Sequence, residues 1–145
     1  MADIPLEVTG ISKSPARVDI KARQFELIVD EPPEHGGEDM GADPVSYFMA
    51  GLLGCINVIG HMVAKEMDLE IRGIELKACG TLDPAKAMGQ DTQERAGLKG
   101  VKVSVKVDAE ADEAILAEWL AKVESRCPVA DNIRSATPLE VSLEM

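Results

Sequence analysis

The chain has 145 residues, which suits one domain spanning 1–145 and is enough to bury a core. Aromatics are only 3% of it, so aliphatic side chains must supply that core. With 15 Lys and Arg against 26 Asp and Glu, the net charge is −11 and there is no basic stripe, which excludes nucleic acid and anionic membrane surfaces as partners.

The N-terminal stretch MADIPLEVTG lacks a basic n-region and an apolar h-region, so it is not a signal peptide and a cytoplasmic location is expected. Short strands are predicted at 5–12, 16–22 and 24–30. The loop DEPPEHGGEDMGAD follows, where Pro, Gly and acids forbid regular structure. Asp43 reads as an N-cap and Pro44 as the first helical residue of a helix running to about Met67. A strand is expected in EIRGIELKACGTL, 70–82, and a loop at 83–97. VKVSVKV, 101–107, alternates without a fault, with Val101, Val103, Val105 and Val107 on one face and Lys102, Ser104 and Lys106 on the other. That is a half-buried antiparallel strand. Asp112 caps a second helix whose apolar stripe is Ile115, Trp119 and Val123 with Leu116 and Leu120. Cys127-Pro128 interrupts it and opens a short helix, 128–135. PLEVSLE, 138–144, reads as a closing strand. PLEV occurs at both 5–8 and 138–141, too short to be a repeat. The order βββ-α-ββ-αα-β implies an α+β fold with mainly antiparallel sheet packed on helices.

The first helix carries no Asp, Glu, Lys or Arg from Pro44 to Ala64. It is long enough to cross a bilayer, which takes about 20 residues. Its Gly51, Gly54, Gly60, Ser46, Asn57 and His61, and the missing basic flank, point instead to a helix covered on most sides in a soluble protein. Gly51 and Gly54 would let another backbone approach closely. His61 reads as a core or interface histidine. Met49, Met62 and Met67 could be adaptable pocket wall, with ordinary core the plainer reading.

Three cysteines, at 55, 79 and 127, are too few and too scattered for a secreted disulfide framework. No CxxC, HxxxH or four-ligand cluster marks a metal site, and no glycine-rich phosphate loop marks a nucleotide. Cys55 sits mid-helix, where burial raises a thiol pKa and no helix N-terminus lowers it. His61, six residues on, lies about 120° round the helix and faces elsewhere. Cys55 is therefore either inert packing or is activated from outside its helix. Cys127 stands at a helix N-cap, where the dipole favours a thiolate, or is a small apolar residue at a helix corner. Cys79 alternates with Glu75 and Lys77 and reads as a bystander on the polar strand face.

Four features together resemble the OsmC/Ohr family, the osmotically inducible and organic hydroperoxide resistance proteins. They are GGEDMGADPVSYFMAGLLGC leading to the helix, Cys55 within it, CPVADNI at 127–133 after an amphipathic helix, and the order of elements. The resemblance covers nearly the whole chain. It implies an OsmC-like fold around a long central helix, in an intertwined homodimer whose partner chain covers that helix. It also implies a thiol peroxidase without metal or organic cofactor. Cys55 would attack an organic hydroperoxide and become a sulfenic acid, Cys127 would resolve it as a disulfide, and a cellular dithiol would reduce the pair. The sequence departs from the family pattern where the peroxidases carry a glutamate ten residues before the first cysteine: Val45 stands there, beside Ser46. In the family that glutamate holds an arginine against the thiolate. Arg17 is the candidate for that cation here, with Arg23 and His35 as alternatives. The departure keeps two other readings open: an OsmC-like dimer that binds a small ligand or senses oxidants without turnover, and a structural domain with inert thiols.

Overall fold

Helix starts follow side-chain capping. The Asp43 carboxylate accepts the Ser46 backbone N–H at 2.9 Å and also the Ser46 hydroxyl, and the helix from Pro44 to Glu66 (α1) begins there. Asp112 accepts the Ile115 N–H at 2.9 Å and starts the helix Glu113–Arg126 (α2). Cys127 separates α2 from the short helix Pro128–Arg134 (α3). The computed structural model describes residues 1–145, with strands Thr9–Ser12 (β1), Val18–Ala22 (β2), Phe25–Val29 (β3), Ile71–Thr81 (β4) and Gly100–Ala109 (β5). The expected α+β class is what is found, with two antiparallel sheets: three strands in the order β1-β2-β3, and the hairpin β4-β5. The chain forms two compact units, Met1–Ala50 and Gly51–Met145.

In the N-terminal unit, β2 and β3 join through a two-residue turn with Arg23 in the left-handed region at φ 55°. The acidic loop beyond β3 is organised by Asp30, whose fully buried carboxylate accepts the N–H groups of Glu31 at 2.8 Å, Glu38 at 3.3 Å and Met40 at 3.1 Å. These donors, the Glu31 N–H foremost, hold the Asp30 carboxyl below its ordinary pKa against the opposing effect of burial. The loop runs so close to β3 that a Cβ at Gly41 would collide with the Ile28 carbonyl.

In the C-terminal unit, Asp68 at φ 52° ends α1, and the Leu69 N–H returns to the Ala64 carbonyl at 2.8 Å. The β4–β5 register pairs Ile74 with Val107, Leu76 with Val105 and Ala78 with Val103. Their half-buried side chains face inward, and Cys79, paired with Lys102, is exposed on the polar face. The core is Val63 and Ala64 of α1 with Trp119 and Val123 of α2, and the hairpin packs on it through Ile74, Val105 and Val107. The Trp119 indole N–H donates to the Gly60 carbonyl at 2.8 Å, a buried bond that locks α2 on α1.

Two strand expectations need correction. Residues 138–144 form no strand, and β1 begins at Thr9 rather than residue 5. Leu139, Val141 and Leu143 do alternate, but they are exposed and pair with neither sheet. Within its own chain the charge-free helix is left largely open: Phe48, Val58 and Met62 are exposed, and open space lies off Gly51 and Gly54. The glycine in close contact is Gly60, against Trp119. His61 is exposed, which removes the core option for it.

Candidate active site

α1 carries Cys55 half-buried in its middle, and the corner between α2 and α3 carries Cys127, 1% exposed. Packing of α2 on α1 brings Cys127 close enough to Cys55 to raise the pKa of its thiol. Both cysteines are free thiols. Pro128 places the first turn of α3 against them. The Ala130 N–H lies 3.5 Å from the Cys127 sulfur, and the Val129 backbone lowers the Cys55 pKa. Burial raises the Cys55 pKa first, the neighbouring Cys127 thiol raises it further, and the Val129 backbone opposes both. Cys55 thus has the activating donor from outside its helix that its sequence position lacks, although burial outweighs it.

Cys127 also lines a cavity of about 240 Å³. Its walls are Leu52 and Ile56 of α1, Val101 and Val103 of β5, and Ala130 and Ile133 of α3, and the Glu124–Arg134 ion pair, at 2.9 Å, sits at its edge. The site therefore combines two adjoining thiols, backbone donors and an apolar recess, which suits thiol–disulfide chemistry beside an apolar substrate.

The candidate cations all lie in the N-terminal unit, each with a local partner. Arg17 grips Asp19, Nε to Oδ1 at 2.8 Å and Nη2 to Oδ2 at 3.2 Å, which raises the Arg17 pKa and lowers that of Asp19. Arg23 lies over the Phe25 ring at 5.3 Å, and His35 is 3.6 Å from Glu31. Arg17 and Asp19 stand two positions apart, as side chains on one strand face do, a spacing that sequence reading could have used. Val45 is half-buried in the first turn of α1. Sequence reading missed the Val129 N–H and the Glu66–Arg126 ion pair near Cys127; the cation at the end of α2 was a visible signal, but its partner 60 residues away was not.

A family model described as OsmC-like protein matches residues 36–142. Solved structures share the fold at low identity. An OsmC-like protein from Mycoplasma pneumoniae aligns with a TM-score of 0.81 and 18% identity, over 93% of this chain and 91% of that one. An organic hydroperoxide resistance protein OsmC from Legionella pneumophila gives 0.66 and 19%, over 92% of each chain. The organic hydroperoxide resistance protein OhrB of Bacillus subtilis gives 0.60 and 20%, over 92% of this chain and 93% of that one. No curated protein matches the sequence.

Proposed function

Since the chain belongs to the OsmC-like protein family, we propose that it is a single-domain thiol peroxidase of oxidative-stress defence that reduces organic hydroperoxides. The observation that carries this reading is the neighbouring thiols of Cys55 and Cys127, the latter lining a largely apolar cavity. Two relatives in fold are named for organic hydroperoxide resistance, which agrees with it.

In the proposed cycle, the Cys55 thiolate attacks the outer oxygen of the hydroperoxide. An S–O bond forms, the O–O bond breaks, and the departing alkoxide takes a proton to leave as an alcohol. Cys127 then attacks the Cys55 sulfenic sulfur, the S–S bond forms, and water departs. A cellular dithiol returns two electrons by thiol–disulfide exchange. The apolar cavity next to Cys127 would take the organic part of the substrate. No step calls for a metal or organic cofactor. Arg17 is the proposed cation for the thiolate, on the family resemblance alone. The working form is a cytoplasmic homodimer, with the exposed apolar face of α1 covered by a second copy; this is preferred to a membrane span because the family match extends over the amphipathic hairpin and α2 as well.

The second reading, a dimer that binds a small ligand or senses oxidants without turnover, is favoured by Val45 in the place of the family's glutamate and by the raised Cys55 pKa. Repeated consumption of cumene hydroperoxide with excess dithiol is expected of the peroxidase alone, and a single-equivalent experiment tests the thiol chemistry beneath it. Reduced protein is mixed with one equivalent of cumene hydroperoxide at neutral pH and mapped by peptide mass spectrometry. Rapid formation of a Cys55–Cys127 disulfide, abolished by Cys55→Ser, is expected of the peroxidase. With Cys127→Ser the first oxidation should persist and the disulfide should not form. Thiols left free would favour the non-turnover dimer.

A further inference from the structure

Cys127 is a one-residue corner. α2 ends at Arg126, Cys127 is extended at φ −78° and ψ 111°, and Pro128 begins α3. A residue before proline is steered to that extended region, so the position of the Cys127 sulfur follows the end of α2. Besides the apolar core, two polar contacts tie α2 to α1. One is the buried bond from Trp119 to Gly60, two turns before the corner. The other is at the corner itself: Arg126 Nη1 donates to Glu66 Oε2 at 2.7 Å and Nη2 to Oε1 at 2.9 Å. This two-pronged pair joins the last residue of α1 to the last residue of α2, adjacent in sequence to Cys127. Bidentate guanidinium–carboxylate pairs are directional as well as attractive. With side chains 38% and 56% exposed, this one adds little to overall stability. Its effect is to restrict how the last turn of α2 swivels.

We infer that the Glu66–Arg126 pair is a positioning element for Cys127, holding its sulfur beside Cys55 for disulfide closure. The inference rests on the proposed Cys55/Cys127 cycle, and it concerns the closing step: the Cys127 sulfur bonds to the Cys55 sulfenic sulfur, the S–O bond breaks, and hydroxide leaves with the thiol proton as water. Neither residue touches the substrate. The pair acts only through the geometry of the corner.

The test forms the same disulfide without peroxide. Full-length protein carrying Cys79→Ser, to prevent side reactions, is equilibrated with mixtures of reduced and oxidised glutathione. Oxidised glutathione takes two electrons from the dithiol and is released as two thiols. The fraction of Cys55–Cys127 disulfide is read by mass spectrometry, and a thermal melt is run alongside. Arg126→Gln should shift the equilibrium toward the dithiol by about two- to five-fold with little change in melting temperature. The charge-swapped pair Glu66→Arg with Arg126→Glu should recover most of the shift, and high salt should shrink it. An equilibrium in Arg126→Gln equal to that of the parent protein, or a swap that recovers nothing, would overturn the inference. A lowered melting temperature with an unmoved equilibrium would overturn it too, since that is what a merely structural pair gives. A protein that closes the disulfide in glutathione yet ignores hydroperoxide would sink the peroxidase reading and leave the positioning result standing.

Discussion

Removal from water and the neighbouring Cys127 thiol both favour the protonated form of Cys55, and the Val129 backbone favours the thiolate. The first two prevail, so the Cys55 pKa stands above the ordinary thiol value. Since the thiolate is the nucleophile, neutral solution holds only a small reactive fraction. The consequences for rate and stability run in opposite directions. A group whose folded pKa is raised contributes stability that is present below its unfolded pKa and lost as pH rises through the folded one. The rate of Cys55 alkylation by iodoacetamide should therefore climb about tenfold per pH unit from neutrality into the alkaline range. The thermal midpoint should fall over the upper part of the same range. A rate already flat at neutral pH would mean the thiolate is formed and some further group stabilises it. Arg17→Ala distinguishes the source: a profile moved to higher pH would make Arg17 that group, and an unmoved profile would remove it from the site.

At the scale of elements, the placement of Cys127 depends on how α2 lies across α1, and that depends on Gly60. A Cβ there would meet Trp119 Cζ2 at 2.9 Å. The ring is rigid and 1% exposed, so it has no open rotamer to move into. Alanine gains about 1 kcal/mol over glycine in a helix interior, but overpacking a full core costs about 1–3 kcal/mol. Gly60→Ala should therefore lower the denaturation free energy by as much as about 2 kcal/mol in urea titrations; an unchanged or higher value would show that α2 can slide on α1. None of this contact is legible in the sequence. The caps at Asp43 and Asp112 are, because their partners lie three residues away. The inward face of β5 is legible too, because its alternation is local. Alternation at 139–143 is just as clean and yet no strand forms, since a pattern tells which face is apolar and not whose backbone will pair with it. The proximity of Cys55 and Cys127 belongs with Gly60 and Trp119: it is a product of helix crossing, and composition alone left Cys55 as inert packing or as a thiol awaiting an outside group. Asp30 lies beyond local reading for the same reason, as two of its three donors come from across the loop.

At the scale of the whole molecule, α1 leaves an apolar face uncovered by its own chain. Phe48, Gly51, Val58 and Met62 recur at the three- and four-residue spacing of one helix face. Only 22% of the most apolar 18-residue window of α1 is buried, and the helix is long and apolar enough to cross a membrane. An apolar stripe of this kind, left in water, is a docking surface or an aggregation liability. The two glycines leave room for a backbone rather than for side chains, which suits a second helix lying close along the first. The proposed dimer supplies such a helix. Val58 is the position to test, because it is 57% exposed and outside the buried core of its own chain. Val58→Glu should leave the fold of the chain intact by circular dichroism. It should also bury an unpaired carboxylate in the proposed interface, a change that costs several kcal/mol of association. Sedimentation equilibrium should then give twice 15.5 kDa for the parent protein and a single chain for the variant. A parent protein that sediments as one chain at micromolar concentration would overturn the dimer, and its capture by lipid vesicles would turn α1 into a membrane-facing helix. A variant that stays dimeric would move the interface to another face of the molecule, and the glycines at 51 and 54 would lose their explanation.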